Sequence, residues 1–519
     1  MHRYLVALSW FEKSRRLLGL AGLALLALSA ARGAASFSQS EVWGLNEDEY
    51  AAHFVYSIGV TWDETLLVAC EGRVGSVSDT AEKDLLLKRS TDGGATWSDD
   101  QVIEGASDTK SWSNPSFVSD GVTTYLFYAD NDANHSSKVY YRSSTDNGAT
   151  WSERTEITAL WADNAHDWTF HLPIGHGIKK LKSPDEGRVI VPMWHRRSIS
   201  YAVADRRYGN DVIYLDNGVW KLGGEPAVDA ARSVNETRIA ERANGEVVMI
   251  SRQAAGAVQK RARTASMDSG DTWGTWVTQA DINGTPTDSG LLRFSDAYHL
   301  YTFPDSDSNS SSVRNTLTIK ASTNGGINWG DGKVIHAGKA TYSDLARDGR
   351  GNIYCVYGRD GTSFCGERVY VAKFNLEWVI DSDKPTVLID NGDSGFTTSG
   401  TWSGSSAAEG YYGANYEHDG ASGTSADYAA WTPTITVAGD YAIFMRWTAH
   451  PNRPNAAPVR IDYNGGSSTT YLTVNQQVDG ATWKYLGTYN LTTGVGNQVR
   501  ITDGDAGYTV ADAVMFQKQ

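Results

Sequence analysis

The chain has 519 residues, which is more than one ordinary domain needs, and 40% of them are hydrophobic. It contains 26 Tyr, 18 Trp and 52 Gly, a composition typical of all-β structure with many turns. Its formal net charge of −15 argues against nucleic-acid binding, because proteins that bind phosphate backbones concentrate positive charge on one surface.

Residues 1–35 predict a secretory signal peptide. Basic residues come first, an apolar run follows over residues 17–30, and small residues lead up to Ala35. The apolar run is too short to cross a bilayer as an anchor. We therefore expect a secreted or periplasmic protein whose mature chain has no membrane span.

An eight-residue box of the form Ser-x-Asp-x-Gly-x-x-Trp occurs four times after this segment. The boxes occupy residues 90–97, 144–151, 266–273 and 322–329. Within each pair they begin about 55 residues apart, near the roughly 40–50 residues of one propeller blade. Ser and Asp side chains bond nearby backbone groups, and Gly supplies a positive φ, so each box predicts a hairpin turn and not a catalytic site. Asn324 replaces the Asp in the fourth box, which a turn tolerates.

Residues 36–383 hold the boxes and many strand-like runs, enough for about six blades. From residue 384 the boxes cease, and alternating runs such as 442–447 and 459–463 indicate short antiparallel strands. The predicted fold class is therefore all-β, with a six-bladed β-propeller over residues 36–383 followed by a β-sandwich over residues 384–519.

Several stretches between the boxes resemble the bacterial sialidase family over roughly residues 51–359. They are Glu71-Gly-Arg73 with Asp79 downstream, Asn235-Glu236, the strand-like run ending in Arg252, Arg314 before the last box, and Thr341-Tyr342-Ser343-Asp344-Leu345 after it. The C-terminal segment separately resembles the C-terminal domain of golvesin and of some xanthan lyases, which is thought to bind carbohydrate. The resemblance implies a retaining, exo-acting glycoside hydrolase that cleaves terminal sialic acid or a related acidic sugar from a glycan. We expect no cofactor and no metal site.

The resemblance also implies a role for each residue. Asp79 is the expected general acid/base, with Asp84 as the fallback if the loop alignment slips. Tyr342 is the expected nucleophile and Glu236 its base. The expected substrate-binding residues are Arg73, Arg252 and Arg314.

The chemistry explains why these residue types belong together. A sialic acid carries a carboxylate on its anomeric carbon, which would repel a carboxylate nucleophile but not a neutral tyrosine activated by a neighbouring Glu. This is an exception to the two-carboxylate arrangement of most glycosidases. Arginine forks match the two oxygens of the substrate carboxylate.

Two positions depart from the family pattern. Phe54 stands where family spacing places the first arginine of a three-arginine clamp, and Gly358 stands where a glutamate usually supports that arginine. An unpaired buried charge is costly, so the loss of one is expected to accompany the loss of the other. Both changes leave the specificity for sialic acid open.

Two other functions fit parts of the chain. A uronate-polysaccharide lyase is favoured by the missing arginine, by the lyase-like C-terminal segment and by the histidine group His166, His171, His176 and His195. A non-catalytic glycan-binding propeller is the other alternative. Successive histidines five residues apart lie on opposite faces of a strand, which disfavours a compact metal site. Cys355 and Cys365 flank a turn and could pair, and Cys70 is expected to be a buried thiol.

Overall fold

A computed structural model describes residues 35–45, 49–107, 110–131, 136–163, 166–197, 208–254, 260–283, 285–305, 314–361, 366–380, 386–421, 423, 426–480, 483–503 and 507–518. The signal peptide predicted over residues 1–35 lies outside these ranges except for Ala35. Cys365 also lies outside them, and so does the predicted domain boundary at residues 383–384. Within the described ranges, no helix is long and apolar enough to span a bilayer.

The first part of the described chain is built almost entirely from strands. In chain order they are β1 (Phe37–Trp43), β2 (Tyr50–Val60), β3 (Leu66–Val74), β4 (Lys83–Ser90), β5 (Gln101–Glu104), β6 (Trp112–Ser119), β7 (Thr124–Asn131), β8 (Ser137–Ser144), β9 (Thr155–Glu156), β10 (Phe170–Pro173), β11 (Gly175–His176), β12 (Ile178–Lys179), β13 (Val189–Arg196), β14 (Tyr208–Asp216), β15 (Val219–Leu222), β16 (Val234–Glu241), β17 (Val247–Gln253), β18 (Lys260–Ser266), β19 (Val277–Asn283), β20 (Gly290–Arg293), β21 (His299–Pro304), β22 (Asn315–Ser322), β23 (Gly332–Arg347), β24 (Asn352–Arg359) and β25 (Arg368–Asn375). A 3₁₀ helix spans Thr158–Trp161, and α1 spans Leu376–Ile380.

These strands form sheets in which chain neighbours mostly pair, antiparallel except for the parallel pair β11 and β6. Strands β2–β5 and β16–β19 form two four-stranded sheets, and β6–β9 form a third with β11 beside β6. Strands β10 and β13–β15 form a fourth sheet, with β12 also on β13. The last sheet has seven strands in the order β1-β25-β24-β23-β22-β21-β20. The long strand β23 belongs to both halves of this sheet, so the sheets cannot simply be counted as blades. The number of six blades stays a prediction.

The hydrogen bonds of the boxes confirm the hairpin-turn interpretation. In the first box the Ser90 hydroxyl donates to Asp92 (2.8 Å) and accepts from the Gly94 amide (2.9 Å). Asp92 also accepts from the amide and the hydroxyl of Thr96 (2.9 and 2.6 Å). Both Gly93 and Gly94 have positive φ, which is why glycine suits these positions. In the fourth box Asn324 still accepts from the amide four residues on (2.9 Å).

The second part of the chain forms the C-terminal domain. Its strands are β26 (Thr386–Asp390), β27 (Phe396–Ser399), β28 (Ser403–Ser405), β29 (Tyr416–His418), β30 (Tyr428–Trp431), β31 (Gly439–Arg446), β32 (Ala457–Tyr463), β33 (Ser468–Val474), β34 (Lys484–Leu491), β35 (Gln498–Thr502), β36 (Val510–Ala511) and β37 (Ala513–Lys518). The two larger sheets run β26-β37-β31-β34 and β27-β30-β35-β32-β33 and enclose a core containing Trp431, Tyr441 and Trp447. A β-sandwich follows from this arrangement, as predicted.

Candidate active site

Tyr342 and Glu236 meet although 106 residues separate them along the chain. Tyr342 lies on β23, and its buried hydroxyl donates a hydrogen bond to Glu236 Oε1 on β16. The β23–β24 pairing shifts register between Ala340 and Ser343, and the β16–β17 pairing shifts between Val234 and Thr237. Such bulges re-aim side chains that a regular strand would point elsewhere. Both interacting residues therefore sit at irregular points of their strands.

Two arginines flank this pair. Arg252 on β17 donates through Nη1 to Glu236 Oε2 (2.7 Å) and to the Tyr342 hydroxyl (3.1 Å). The guanidinium carbon of Arg314 lies 5.5 Å from the centre of the Tyr342 ring, and its Nη1 donates to Thr341 Oγ1 (3.2 Å). The structure thus brings four of the six predicted site residues into one group.

The electrostatics of this group keep the phenol neutral and Arg252 charged. Burial, and then the negative charge of Glu236, raise the pKa of Tyr342 well above its usual value. Burial alone would lower the pKa of Arg252, but Glu236 and Tyr342 outweigh it and raise that pKa. A neutral buried tyrosine is a weak nucleophile unless a neighbouring base accepts its proton. Glu236 is placed to be that base.

Phe54 packs against the same tyrosine. Its ring centre lies 4.7 Å from that of Tyr342, and the guanidinium of Arg73 lies 4.7 Å from the Phe54 ring centre. A buried aromatic ring therefore fills the position where the family pattern has an arginine.

Arg73 and Asp79 extend this chain of contacts. The Arg73 guanidinium is 3% exposed and donates to Glu71 (3.0 and 3.2 Å), to the Val77 carbonyl (2.6 Å) and to Asp79 (2.8 Å). The Asp79 side chain is 89% exposed. Asp79 therefore contacts Arg73, which contacts Phe54, which in turn packs against Tyr342. The substrate-binding role of Arg73 stays a prediction.

The fallback residue Asp84 already has protein donors. Its carboxylate accepts hydrogen bonds from the Tyr50 hydroxyl and the Ala106 amide, both at 2.5 Å. These contacts connect β2 and the segment after β5 to β4, so Asp84 has a structural role. The role of Asp79 as general acid/base stays a prediction.

The sequence reasoning did not single out an aromatic group beside Phe54. Phe170 on β10 and Trp194 on β13 share a core cluster with Phe54 and Tyr342, and Tyr208 packs against that cluster. Trp194 lies 5.5 Å from Phe170 and 6.0 Å from Tyr208, centre to centre. The available signal was that Phe170 and Trp194 each stand next to a histidine on a strand.

The histidines face a different set of residues. His171 and His195 alternate with Leu172 and Trp194 on paired strands, so they point to the opposite face. There the two rings contact each other at 2.9 Å between Nδ1 atoms, and Trp161 stacks on His171. Burial lowers the pKa of His171 to about 2, which keeps it neutral. His166 lies 3.5 Å from Glu225 instead.

A buried ionic network lies beside the candidate site. Arg238, two residues after Glu236, pairs with Asp288 and lies 3.7 Å from Asp344, two residues after Tyr342. His176 Nδ1 lies 2.7 Å from the same Asp344 carboxylate. A Cβ at Gly175 would overlap the Arg238 guanidinium, so only glycine fits there. This network connects the strands that carry the candidate base and nucleophile. Within the described ranges, no cluster of His, Cys, Asp and Glu side chains is suited to hold a metal ion.

Comparison with known proteins places this arrangement in a family. The model of the BNR repeat-like domain matches residues 64–355. The chain belongs to the BNR repeat-like family. The model of the golvesin C-terminal domain matches residues 387–518 of this BNR repeat-like protein. It is thus a sialidase-like BNR protein with a C-terminal golvesin domain.

Individual relatives match different parts of the BNR repeat-like protein. It is 26% identical over 358 residues to a sialidase of Micromonospora viridifaciens, which covers 62% of this chain and 51% of the sialidase. It is 40% identical over 142 residues to a xanthan lyase of a Bacillus species, covering 26% of this chain and 15% of the lyase. The chain therefore spans about half the length of the first relative and a small part of the second.

Solved structures show the same fold. An intramolecular trans-sialidase from Ruminococcus gnavus aligns with a TM-score of 0.53 at 14% identity, covering 65% of this chain and 98% of that one. A Trypanosoma rangeli sialidase aligns with a TM-score of 0.51 at 12% identity, covering 92% and 96%. At these identities the similarity concerns the fold alone.

Proposed function

We propose that this protein is a retaining exo-glycosidase of the sialidase type that releases a terminal acidic sugar from a glycan. The hydrogen bond from Tyr342 to Glu236, with Arg252 contacting both, is the observation that carries the proposal. A phenol, its proton acceptor and a cation in one buried group are what attack on a carboxylate-bearing anomeric carbon requires.

The reaction has two steps. In the first, Glu236 accepts the phenolic proton while Tyr342 bonds to the anomeric carbon, and Asp79 gives its proton to the departing oxygen. In the second, Asp79 takes a proton from water, and the water oxygen bonds to the anomeric carbon as the bond from that carbon to the Tyr342 oxygen breaks. The released Tyr342 oxygen takes its proton back from Glu236. Arg73, which donates to Asp79 at 2.8 Å, orients that carboxyl group.

Arg252 and Arg314 bind the substrate carboxylate in this proposal. The Arg252 guanidinium donates to the Tyr342 hydroxyl, and the Arg314 guanidinium lies near the Tyr342 ring. Phe54 contributes an apolar ring where a third arginine was expected. We infer an acidic sugar held by two arginine forks and packed against an aromatic surface.

The test is the release of the phenol from an aryl α-sialoside and from aryl glycosides of related acidic sugars. Tyr342→Phe is expected to lower kcat by at least about a hundredfold, because it removes the nucleophilic oxygen but keeps the ring. Tyr357→Phe is the matched control, since Tyr357 is a buried tyrosine on β24 beside His336. Equal activity of wild type and Tyr342→Phe would overturn the proposal.

The reaction product distinguishes the lyase alternative from the hydrolase. A lyase leaves an unsaturated sugar that absorbs in the near ultraviolet, and a hydrolase does not. His171 and His195 contact each other and Trp161 on the strand face opposite Trp194, which disfavours a lyase that uses these two histidines. Glycan binding that survives Tyr342→Phe without any product would instead support the non-catalytic alternative.

A further inference from the structure

The golvesin domain shares a packed surface with the propeller. Val334 and Ala337 at the start of β23 form one buried cluster with Trp483, Ala513 and Met515 of the golvesin domain. Across the same surface the Gln517 side chain donates to the Val334 carbonyl (3.2 Å). This surface is mostly apolar, so a charged group buried beside it needs a specific reason.

Arg446 is that charged group. It ends β31, its side chain is fully buried, and its guanidinium lies about 6 Å from the ring centres of Tyr412 and Trp483. Its Nε and Nη2 donate to the Gly410 carbonyl (3.2 and 3.0 Å) within its own domain. Its Nη1 donates across the interface to the Asn315 side-chain oxygen (3.3 Å). The nearest carboxylate, Asp512, is 3.9 Å away.

Asn315 is the residue directly after Arg314. It is fully buried, and its side-chain oxygen also accepts from the Thr316 hydroxyl (3.0 Å). Thr316 has a φ of 56°, which is rare for a β-branched residue and needs support from its surroundings. The β22–β23 pairing is irregular here, with a register shift between Asn315 and Leu317. The backbone that presents Arg314 is therefore strained and is held by a contact from the other domain.

Among the described residues, β23 also contacts Arg314. Its carbonyl accepts from the Ala340 amide (3.1 Å), and its guanidinium donates to Thr341 Oγ1 (3.2 Å). Arg446 is thus the contribution of the golvesin domain to the placement of a residue in the candidate active site.

We propose that Arg446 is a positioning residue for Arg314, so that the golvesin domain is a structural part of the propeller's active site. The expected effect on kinetics rests on the proposed function, whereas the positioning of Arg314 by Arg446 does not. The golvesin domain acts through Asn315 and the strained backbone at Thr316, and it sets how well Arg314 binds the substrate carboxylate.

Arg446→Met in the full-length protein tests this, because methionine keeps much of the volume and removes the donors. We expect kcat/KM for an acidic aryl glycoside to fall about tenfold, mostly through KM, since displaced binding groups weaken positioning. Asn315→Ala removes the same hydrogen bond from the propeller side and is expected to have the same effect. Arg453→Met is the matched control, because Arg453 is a buried arginine that donates to Tyr416 and Thr448 within the golvesin domain.

A double-mutant cycle separates positioning from general destabilisation. In an Arg314→Ala background, Arg446→Met is expected to lower kcat/KM by less than about twofold, because the group it positions is gone. A full tenfold loss in that background would overturn the proposal, as would unchanged kinetics of both Arg446→Met and Asn315→Ala.

Hydrogen exchange provides a readout that does not need activity. Deuterium uptake of peptides containing Asn315–Thr318 is expected to rise in Arg446→Met and Asn315→Ala and to stay at the wild-type level in Arg453→Met. Unchanged uptake in the first two variants would overturn the placement even if the enzyme is active. Raised uptake in a protein without activity on any acidic glycoside would reject the proposed function and keep the placement.

Discussion

Phe54 stands where the family resemblance predicts an arginine. It is buried against Tyr342, and the Arg73 guanidinium already lies over its ring. An arginine at this position would place a second guanidinium beside that of Arg73. The joint loss of the arginine and of the glutamate expected at position 358 stays a prediction.

We predict that Phe54→Arg destabilises the protein by about 3–5 kcal/mol, because it buries a second cation beside the Arg73 guanidinium. The double variant Phe54→Arg/Gly358→Glu should recover a large part of that loss and should lower KM for acidic substrates. Chemical denaturation of wild type, both single variants and the double variant measures the coupling. Additive losses in the double variant would contradict the idea that the two positions act together.

Single residues also show how far the sequence could lead. Tyr342, Glu236, Arg252 and Arg314 were named from a family resemblance, and they do meet in space. Their contacts could not follow from spacing alone, because bulges at residues 234–237 and 340–343 decide where the side chains point. Arg446 could not be found at all, since its partner Asn315 lies 131 positions away in another domain.

At the scale of elements, the boxes were the most predictable feature. Their side-chain bonds are local, within four residues, so the sequence contains all the information that the turn needs. The pairing of β11 with β6 and the union of two sheet halves on β23 were not predicted. Both depend on contacts between distant segments.

The boxes give a prediction for acid stability. Hydrogen bonds from Thr150 and Ser144 lower the pKa of Asp146 to about 2, below the unfolded value near 3.9. A depressed carboxylate pKa stabilises the fold above the unfolded pKa, and this contribution is lost as the pH falls through the folded pKa. Asp146→Asn should therefore lower stability by about 0.5–1 kcal/mol above pH 4 and by progressively less toward pH 2.

Thermal unfolding of wild type and Asp146→Asn between pH 2 and pH 6 measures this difference. Asp216→Asn is the control, because Asp216 ends β14 with a partly exposed side chain that pairs with Lys221. A pH-independent difference between wild type and Asp146→Asn would contradict the prediction.

At the scale of the whole molecule, the propeller and the golvesin domain are coupled through the cluster around Trp483. We predict that the wild-type protein unfolds in a single calorimetric transition. If either domain unfolded alone, the apolar side chains that the other domain contributes to the shared cluster would be exposed to water. Trp483→Ala should remove about 3–5 kcal/mol of packing and split the transition in two.

Trp431→Ala is the contrasting variant, since Trp431 is buried in the core of the golvesin domain itself. It should lower the unfolding temperature of that domain without the separation expected for Trp483→Ala. Two transitions in the wild-type protein would show that the shared cluster does not couple the parts.

The antiparallel pairing of β1 with β25 sets a condition on how the molecule is made. Phe37 stands opposite Phe374, so the first strand finds its hydrogen-bonding partner only after more than 300 further residues have been synthesised. Until then the growing polypeptide exposes an unpaired strand edge. Sheets completed by pairings between such distant residues assemble slowly. A ribosome-bound fragment ending before residue 368 should therefore be a good substrate for chaperones and proteases, whereas release of the last strand locks both ends of the propeller at once.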